Sequence, residues 1–240
     1  MVDRRVHRGA HPDDARLFSQ QALPALRESV FDLSWLLTRG YAGRSSLALV
    51  GDRWRLEKRQ RLAVRRCACS EAERRARLSR VVPASVLRGA TIWIDGFNLL
   101  TTIETALGGG VLLGARDGSL RDMASLHGSY RIVAETGPAL SALSDVLEGR
   151  GIAACHWLLD APVSNSGRLA ALLREHAQRR GLPWQVEVRR GVDAALERLG
   201  EEAIVVSADS RIMERAARIW PLAREVVRTL RPTPWILDLG

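Results

Sequence analysis

The chain has 240 residues, 46% of them hydrophobic and 26% charged, enough for one large domain or two small ones with a buried core. No run of about 18 uncharged apolar residues occurs, so no membrane span is expected. The opening Met1-Val2-Asp3-Arg4-Arg5 carries charge with no apolar run behind it, unlike a secretory leader, and cytoplasmic residence is the expectation. The formal net charge of +9 is uneven: residues 1–88 hold 19 Arg plus Lys against 9 Asp plus Glu, whereas 89–240 hold 17 against 18. Such asymmetry points to a polyanion partner, most simply nucleic acid, against the alternative of an arginine-heavy solvated surface. All the basic residues but Lys58 are arginine, a compositional bias that weakens any argument from guanidinium geometry but leaves the positive field intact. Cys67, Cys69 and Cys155 are odd in number and lack partner histidines, which argues against a disulfide framework or a zinc site.

In chain order, residues 1–30 are expected to form short helices, interrupted at Leu17, Gln21 and Pro24. Residues 28–39 read as a helix with two candidate faces, Phe31, Trp35 and Leu36 or Val30, Leu33 and Leu37, stopped at Gly40. Ser45-Ser46 is placed to start another helix. Gly51-Asp52-Arg53-Trp54-Arg55-Leu56 then leads into one arginine-dense helix running to about Ser79, which includes Arg59, Arg61, Arg65 and Arg66. Val81-Val82-Pro83-Ala84-Ser85 breaks the pattern and is expected to link two units, 1–88 and 89–240.

Beyond residue 89, apolar strands alternate with amphipathic helices. Strands are predicted near 90–95, 153–159, 184–189, 203–208 and 234–238. Helices are predicted at 97–106, 136–149, 166–180, 191–199, 209–218 and 222–230. The loop-rich stretch 107–130 has room for a short hairpin. This order predicts an α/β domain with a mainly parallel, Rossmann-like sheet and flanking helices, preceded by the small basic helical region.

Asp95, Asp160 and Asp209 each close a predicted strand, and Asp193 opens the helix after another. The carboxyl ends of parallel strands form the edge where ligands bind. Carboxylates gathered there repel unless a proton or cation intervenes, and hard ions such as Mg²⁺ or Mn²⁺ select oxygen ligands. Bound metal at such a site suits phosphodiester hydrolysis. Helix capping is the competing role, above all for Asp209 and Asp193. Ser164 and Asn165, in the loop after Asp160, are candidates to contact a phosphate or to cap a helix. In the basic region Arg53, Arg55, Arg59 and Arg61 are candidate phosphate contacts and Trp54 a candidate base-stacking residue; the alternative is a core Trp covered by arginine stems.

Ile94-Asp95-Gly96-Phe97-Asn98, Gly191-Val192-Asp193 and Val205-Val206-Ser207-Ala208-Asp209 resemble, in order and approximate spacing, the motifs of the PIN-like nuclease superfamily and its NYN branch. That resemblance covers residues 90–220. It implies a PIN-like fold and a divalent-metal ribonuclease site at Asp95, Asp160, Asp193 and Asp209, with Asn98 orienting Asp95 or a bound water. The chain departs from the pattern at Arg211, where many NYN proteins carry another acid; one metal instead of two, or binding without cleavage, would follow. Tyr41 together with Leu49 to Leu56 and Gln60-Arg61 resembles the domain of unknown function 434, which implies architecture but no activity.

Gly108-Gly109-Gly110 does not follow a strand and open a helix, so neither a P-loop nor a dinucleotide site is expected. No Gly-x-Ser-x-Gly elbow occurs. Asp117, Arg121 and Asp122 lie in a loop that is a candidate to reach the acids, whereas Glu104 lies two turns into the predicted 97–106 helix and farther from them. His127 reads first as a loop histidine with no role and second as an acid or phosphate contact, and His156 reads as structural. The leading expectation is a metal-dependent ribonuclease fed by a basic RNA-binding region. The rivals are a PIN-like binding or regulatory module without catalysis, and a small-molecule phosphohydrolase using the same acids.

Overall fold

A computed structural model describes residues 7–124 and 128–240; the charged start, Met1 to Arg5, and His127 lie outside them. The basic region is helical: α1 (Asp14–Leu17), α2 (Leu23–Thr38), α3 (Gly43–Arg53), α4 (Lys58–Cys67) and α5 (Glu71–Leu78). Two sequence expectations fail here. Pro24 does not interrupt a helix but sits in the first turn of the 16-residue α2, where its missing N–H has no intrahelical partner to lose. The single long arginine-rich helix is two helices. Ser70 caps α5, accepting from the Glu73 N–H at 3.2 Å while the Glu73 carboxylate takes the Ser70 N–H at 2.6 Å, and this reciprocal pair specifies a new helix start. Of the two faces proposed for α2, the one with Val30 and Leu33 is buried, and Phe31 and Trp35 are exposed.

The second part follows the predicted alternation: β1 (Thr91–Asp95), α6 (Gly96–Leu107), β2 (Leu112–Gly114), β3 (Leu120–Asp122), α7 (Thr136–Arg150), β4 (Ala154–Asp160), α8 (Ser166–Arg180), β5 (Trp184–Arg189), α9 (Val192–Glu197), β6 (Ile204–Val206), α10 (Ser210–Arg215), β7 (Arg218–Ile219), α11 (Leu222–Thr229) and β8 (Ile236–Asp238). Gly151 and Gly181 end α7 and α8 with φ of 68° and 65°, the left-handed cap that only glycine adopts without strain.

Five strands form a parallel sheet in the order β5-β4-β1-β6-β7. The first strand is central; the chain builds outward through β4 and β5, then returns to the other side of β1. Strand order therefore reverses between β1 and β6, and in open α/β sheets the crevice at that reversal is where ligands bind. Ile92 and Ile94 face a cluster made with α6, α7, α8 and α11. On the opposite face Leu158 and Val205 pack against Val192 and Leu196 of α9 and Ile212 and Met213 of α10. The result is a three-layer α/β/α arrangement.

The predicted hairpin in 107–130 exists as β2 and β3, and β8 joins it in a second sheet, β3-β2-β8, instead of extending the main one. This small sheet gives Val111, Leu113, Leu237 and Leu239 to one apolar cluster with Leu26, Val30, Leu33, Ala63 and Val64 of the helical region. A buried polar knot adds to this join. Arg8 Nε donates to Glu104 Oε2 at 2.7 Å, and Glu104 also accepts from the Tyr130 hydroxyl and from Thr136 Oγ1 at 2.7 Å. Glu104 is thus committed to the interior. Among the described residues no helix is long and apolar enough to cross a membrane.

Candidate functional site

The strand ends deliver the acids as the alternation predicts. Asp95, Asp160, Asp193 and Asp209 line one cleft of about 560 Å³ together with Asn98. Gly96 suits the close approach of β1 and β4: a Cβ there would lie 2.5 Å from Leu159 Cδ2 and 3.1 Å from the Leu158 carbonyl oxygen, so any other residue would have to displace both.

Three of the four acids also do structural work. Asp95 caps α6, taking the Asn98 N–H at 3.4 Å, and its Oδ2 accepts from the Ser207 hydroxyl at 2.9 Å. Asp209 caps α10 through one oxygen, which accepts from the N–H groups of Arg211 at 2.9 Å and Ile212 at 3.3 Å. Asp160 Oδ1 takes the Val192 N–H at 3.2 Å, fixing the start of α9. Capping and cleft lining therefore coexist at these positions. Asp193 is exposed and has no hydrogen-bond or ion-pair partner among the described residues.

Asn98 contacts Asp95 through its backbone and a second loop through its side chain. Its backbone N–H steadies Asp95, and its side-chain oxygen accepts the Ala208 N–H at 2.9 Å, so it holds the loop that carries Asp209. Burial pushes the Asp95 carboxyl up to about 7, opposed by the Ser207 and Asn98 donors and reinforced by the charges of Asp193 and Asp209. Asp193, exposed at its surface, is raised by partial desolvation at the cleft and by Asp209 and Asp160, with Arg211 pulling the other way. Asp95 and Asp193 thus each sense neighbouring carboxylates. In this arrangement, however, no group of three or more His, Cys, Asp or Glu side chains among the described residues is disposed to hold a metal ion. Arg211 itself pairs with Glu197 at 2.5 Å.

The nucleic-acid candidates fall elsewhere. Arg53, Trp54, Arg55, Arg59, Arg61, Ser164 and Asn165 do not line the cleft. Arg59 is held by the fully buried Asp14, with Nη2 2.9 Å from Oδ2. Arg61 donates to Asp52 at 2.7 Å and to the Leu56 carbonyl at 2.9 Å. The Trp54 indole N–H donates to Asp32 at 2.8 Å, and Arg53 lies 3.6 Å from the same carboxylate. Asn165 Nδ2 donates to the Tyr130 carbonyl at 2.7 Å without capping α8. Arg55 and Ser164 are exposed. Nearby acids convert much of the apparent positive surface into internal ion pairs.

The basic residues that do reach the cleft are Arg65 and Arg66 of α4 and Arg121 of β3. The sequence offers Arg121 as a loop residue near the acids, whereas Arg65 and Arg66 stand in it only as members of a charge run. Asp122 also lines the cleft, with Oδ2 accepting from Thr101 at 3.2 Å and Thr102 at 3.1 Å. Asp117 is buried behind it, paired with Arg77 and Arg121 at 2.7 Å each.

Residues 84–225 match the family model described as a domain of unknown function, DUF5616. The chain belongs to the DUF5616 family. In this DUF5616 protein residues 25–80 match a second model, a protein of unknown function, DUF434, as the Tyr41 to Arg61 resemblance implied, and the gap between the two matches falls on the predicted linker. "Uncharacterized protein MJ0935" of Methanocaldococcus jannaschii is 29% identical over 202 residues, covering 83% of this chain and 95% of its own length, so both parts occur together there. No solved structure matches the chain significantly. None of these descriptions carries an activity; the cleft must supply the functional argument.

Proposed function

We propose that the cleft is the hydrolytic site of a divalent-metal-dependent nuclease with a PIN-like fold, acting on phosphodiester bonds of RNA. The supporting observation is the gathering of Asp95, Asp160, Asp193 and Asp209 at the reversal of strand order, in a cleft that also contains arginines. An all-oxygen, mutually repelling donor set suits Mg²⁺ or Mn²⁺. Asp160 and Asp209 each keep one carboxylate oxygen out of their capping bonds, and Asp193 has no partner to give up. Because no three carboxylates stand ready around one point, loading requires side-chain rotation, for which Asp193 is the freest. When bound, the ion supplies polarisation of a phosphoryl oxygen and activation of water. The chain's own contribution is positional: Ser207 holds Asp95, Asn98 holds the Ala208 loop, and the arginines neutralise phosphate charge.

Nuclease-free protein should cleave single-stranded RNA with Mn²⁺, and Asp95→Asn should abolish cleavage. Equal activity in the variant would reject the reading. A second reading, a binding module without catalysis, is favoured by Arg211 and by the unassembled ligand set. Metal-independent RNA binding, unchanged in Asp95→Asn and without turnover, would select it.

A further inference from the structure

The cleft joins two walls of opposite charge. The aspartates come from the ends of β1 and β4 and from the starts of α9 and α10, whereas Arg65 and Arg66 come from α4 of the helical region. Helix geometry explains why α4 can present them. Ala63, Val64 and Cys67 are buried, and at about 100° per residue these three form one stripe. Arg65 lies nearly opposite that stripe and Arg66 on its flank.

The cleft arginines are not equivalent. Arg66 is bound to the carbonyl oxygens of Asp122 and of Ala124, the latter at 2.8 Å. Arg121 is bound to the Arg66 carbonyl, to the Ala208 carbonyl at 3.1 Å and to Asp117 at 2.7 Å. Those contacts use the guanidinium forks to weld α4, β3 and the loop before Asp209 together. Arg65 is welded to nothing. It makes no hydrogen bond and no ion pair among the described residues, and none joins it to the four aspartates. It is therefore a free, permanently charged fork on a helix that its neighbour holds in place, facing a cleft of acids.

An arginine fork left open beside a carboxylate cluster matches a phosphate bound between them, since guanidinium engages phosphate bidentately. We propose that Arg65 is a phosphate clamp, through which the helical region grips a polynucleotide phosphate adjacent to the one that reacts at the aspartates. The proposal rests on the phosphodiester reading of the cleft. It makes the site a joint product of both parts of the chain and requires a substrate with at least two phosphates in sequence.

The test is binding of the full chain in EDTA to a fluorescent single-stranded oligonucleotide, as RNA and as DNA, across a salt series. Arg65→Gln is compared with Arg44→Gln, which removes the same charge from an exposed site off the cleft. Arg65→Gln should weaken oligonucleotide binding roughly tenfold and lower the slope of log affinity against log salt by about 0.7, one single-strand phosphate contact. Arg44→Gln should do neither, and binding of a mononucleotide monophosphate should change little in Arg65→Gln. A similar effect on RNA and DNA would locate recognition in the phosphates, and a larger effect on one would identify that polymer as the ligand. Equal losses in both variants would replace the clamp by a diffuse field and overturn it. So would an equal loss for the mononucleotide, an unaffected Arg65→Gln, or absence of oligonucleotide binding in wild type. Because no metal is present, failure of cleavage with an intact Arg65 effect would remove the nuclease reading and leave the clamp.

Discussion

The Ser207 hydroxyl donates to Asp95 Oδ2 at 2.9 Å, joining the ends of β1 and β6 across 112 residues of chain. The same hydroxyl oxygen accepts the Asp209 N–H at 3.1 Å. One small side chain thus positions two of the four cleft acids, at the point where strand order reverses.

Ser207→Ala should therefore act through Asp95. The hydroxyl favours the ionised carboxylate, so its loss should raise the Asp95 pKa beyond about 7. The acid limb of the pH–rate profile should move to higher pH by on the order of one unit, with less change in rate at alkaline pH, where Asp95 is ionised in both proteins. Ser207→Thr, which keeps the hydroxyl, should restore the profile. A uniform loss of rate at every pH would mean that Ser207 supports only the fold.

The raised carboxyl also makes a stability prediction for metal-free protein. The folded pKa of about 7 lies above the ordinary carboxylate value of 3.8, so between these two values the native state binds more protons than the unfolded chain. Its contribution to stability is complete below about pH 4 and is lost as pH rises through 7. Asp95→Asn cannot ionise and escapes that loss. Its melting temperature should exceed that of wild type at pH 8 and converge with it towards pH 4; the reverse order would reject the buried, unfavourable charge.

Much of the main sheet was readable because β1 and β4 end at an acid and the long helices end at a glycine or Pro-containing turn; β1, β4, β5 and α8 lie within a residue or two of expectation. The break in the arginine-rich helix was also readable, since Ser70-x-x-Glu73 is a capping-box pattern, but the run of arginines obscured it. The partners of the basic residues were not. Nothing local indicates that Arg59 meets Asp14, 45 residues away, or that Arg66 meets Asp122, 56 away. Charge counting measures a region's field, whereas tertiary pairing decides which guanidinium remains available. For the same reason β8 looked like another strand of the main sheet. A three-residue apolar run does not encode its neighbour, and β8 instead pairs in parallel with β2.

The link between the two parts should be sensitive at Arg77. This α5 side chain is buried, pairs with Asp117 at 2.7 Å and forms an ion pair with Glu214. Burial would push Asp117 up, but Arg121 and the Arg77 and Ser119 donors hold it below the ordinary carboxylate range; its contribution to stability is lost as pH falls below about 4. Arg77→Ala leaves buried Asp117 with the Ser119 donors and Arg121 as its remaining cationic partner and removes the tether from α10, the helix that Asp209 caps. Breaking one side of a buried pair costs about 3–5 kcal/mol, and the remaining Arg121 places the expected loss near 3 kcal/mol by urea denaturation. Arg218→Ala removes an exposed pair with Glu202 and should cost less than about 1 kcal/mol. At a temperature where Arg77→Ala stays folded, RNA cleavage should still fall, because the strand-end loop carrying Asp209 has lost one of its supports. Full activity in the folded variant would confine Arg77 to stability and leave the positioning of Asp209 to Asn98 and Ser207.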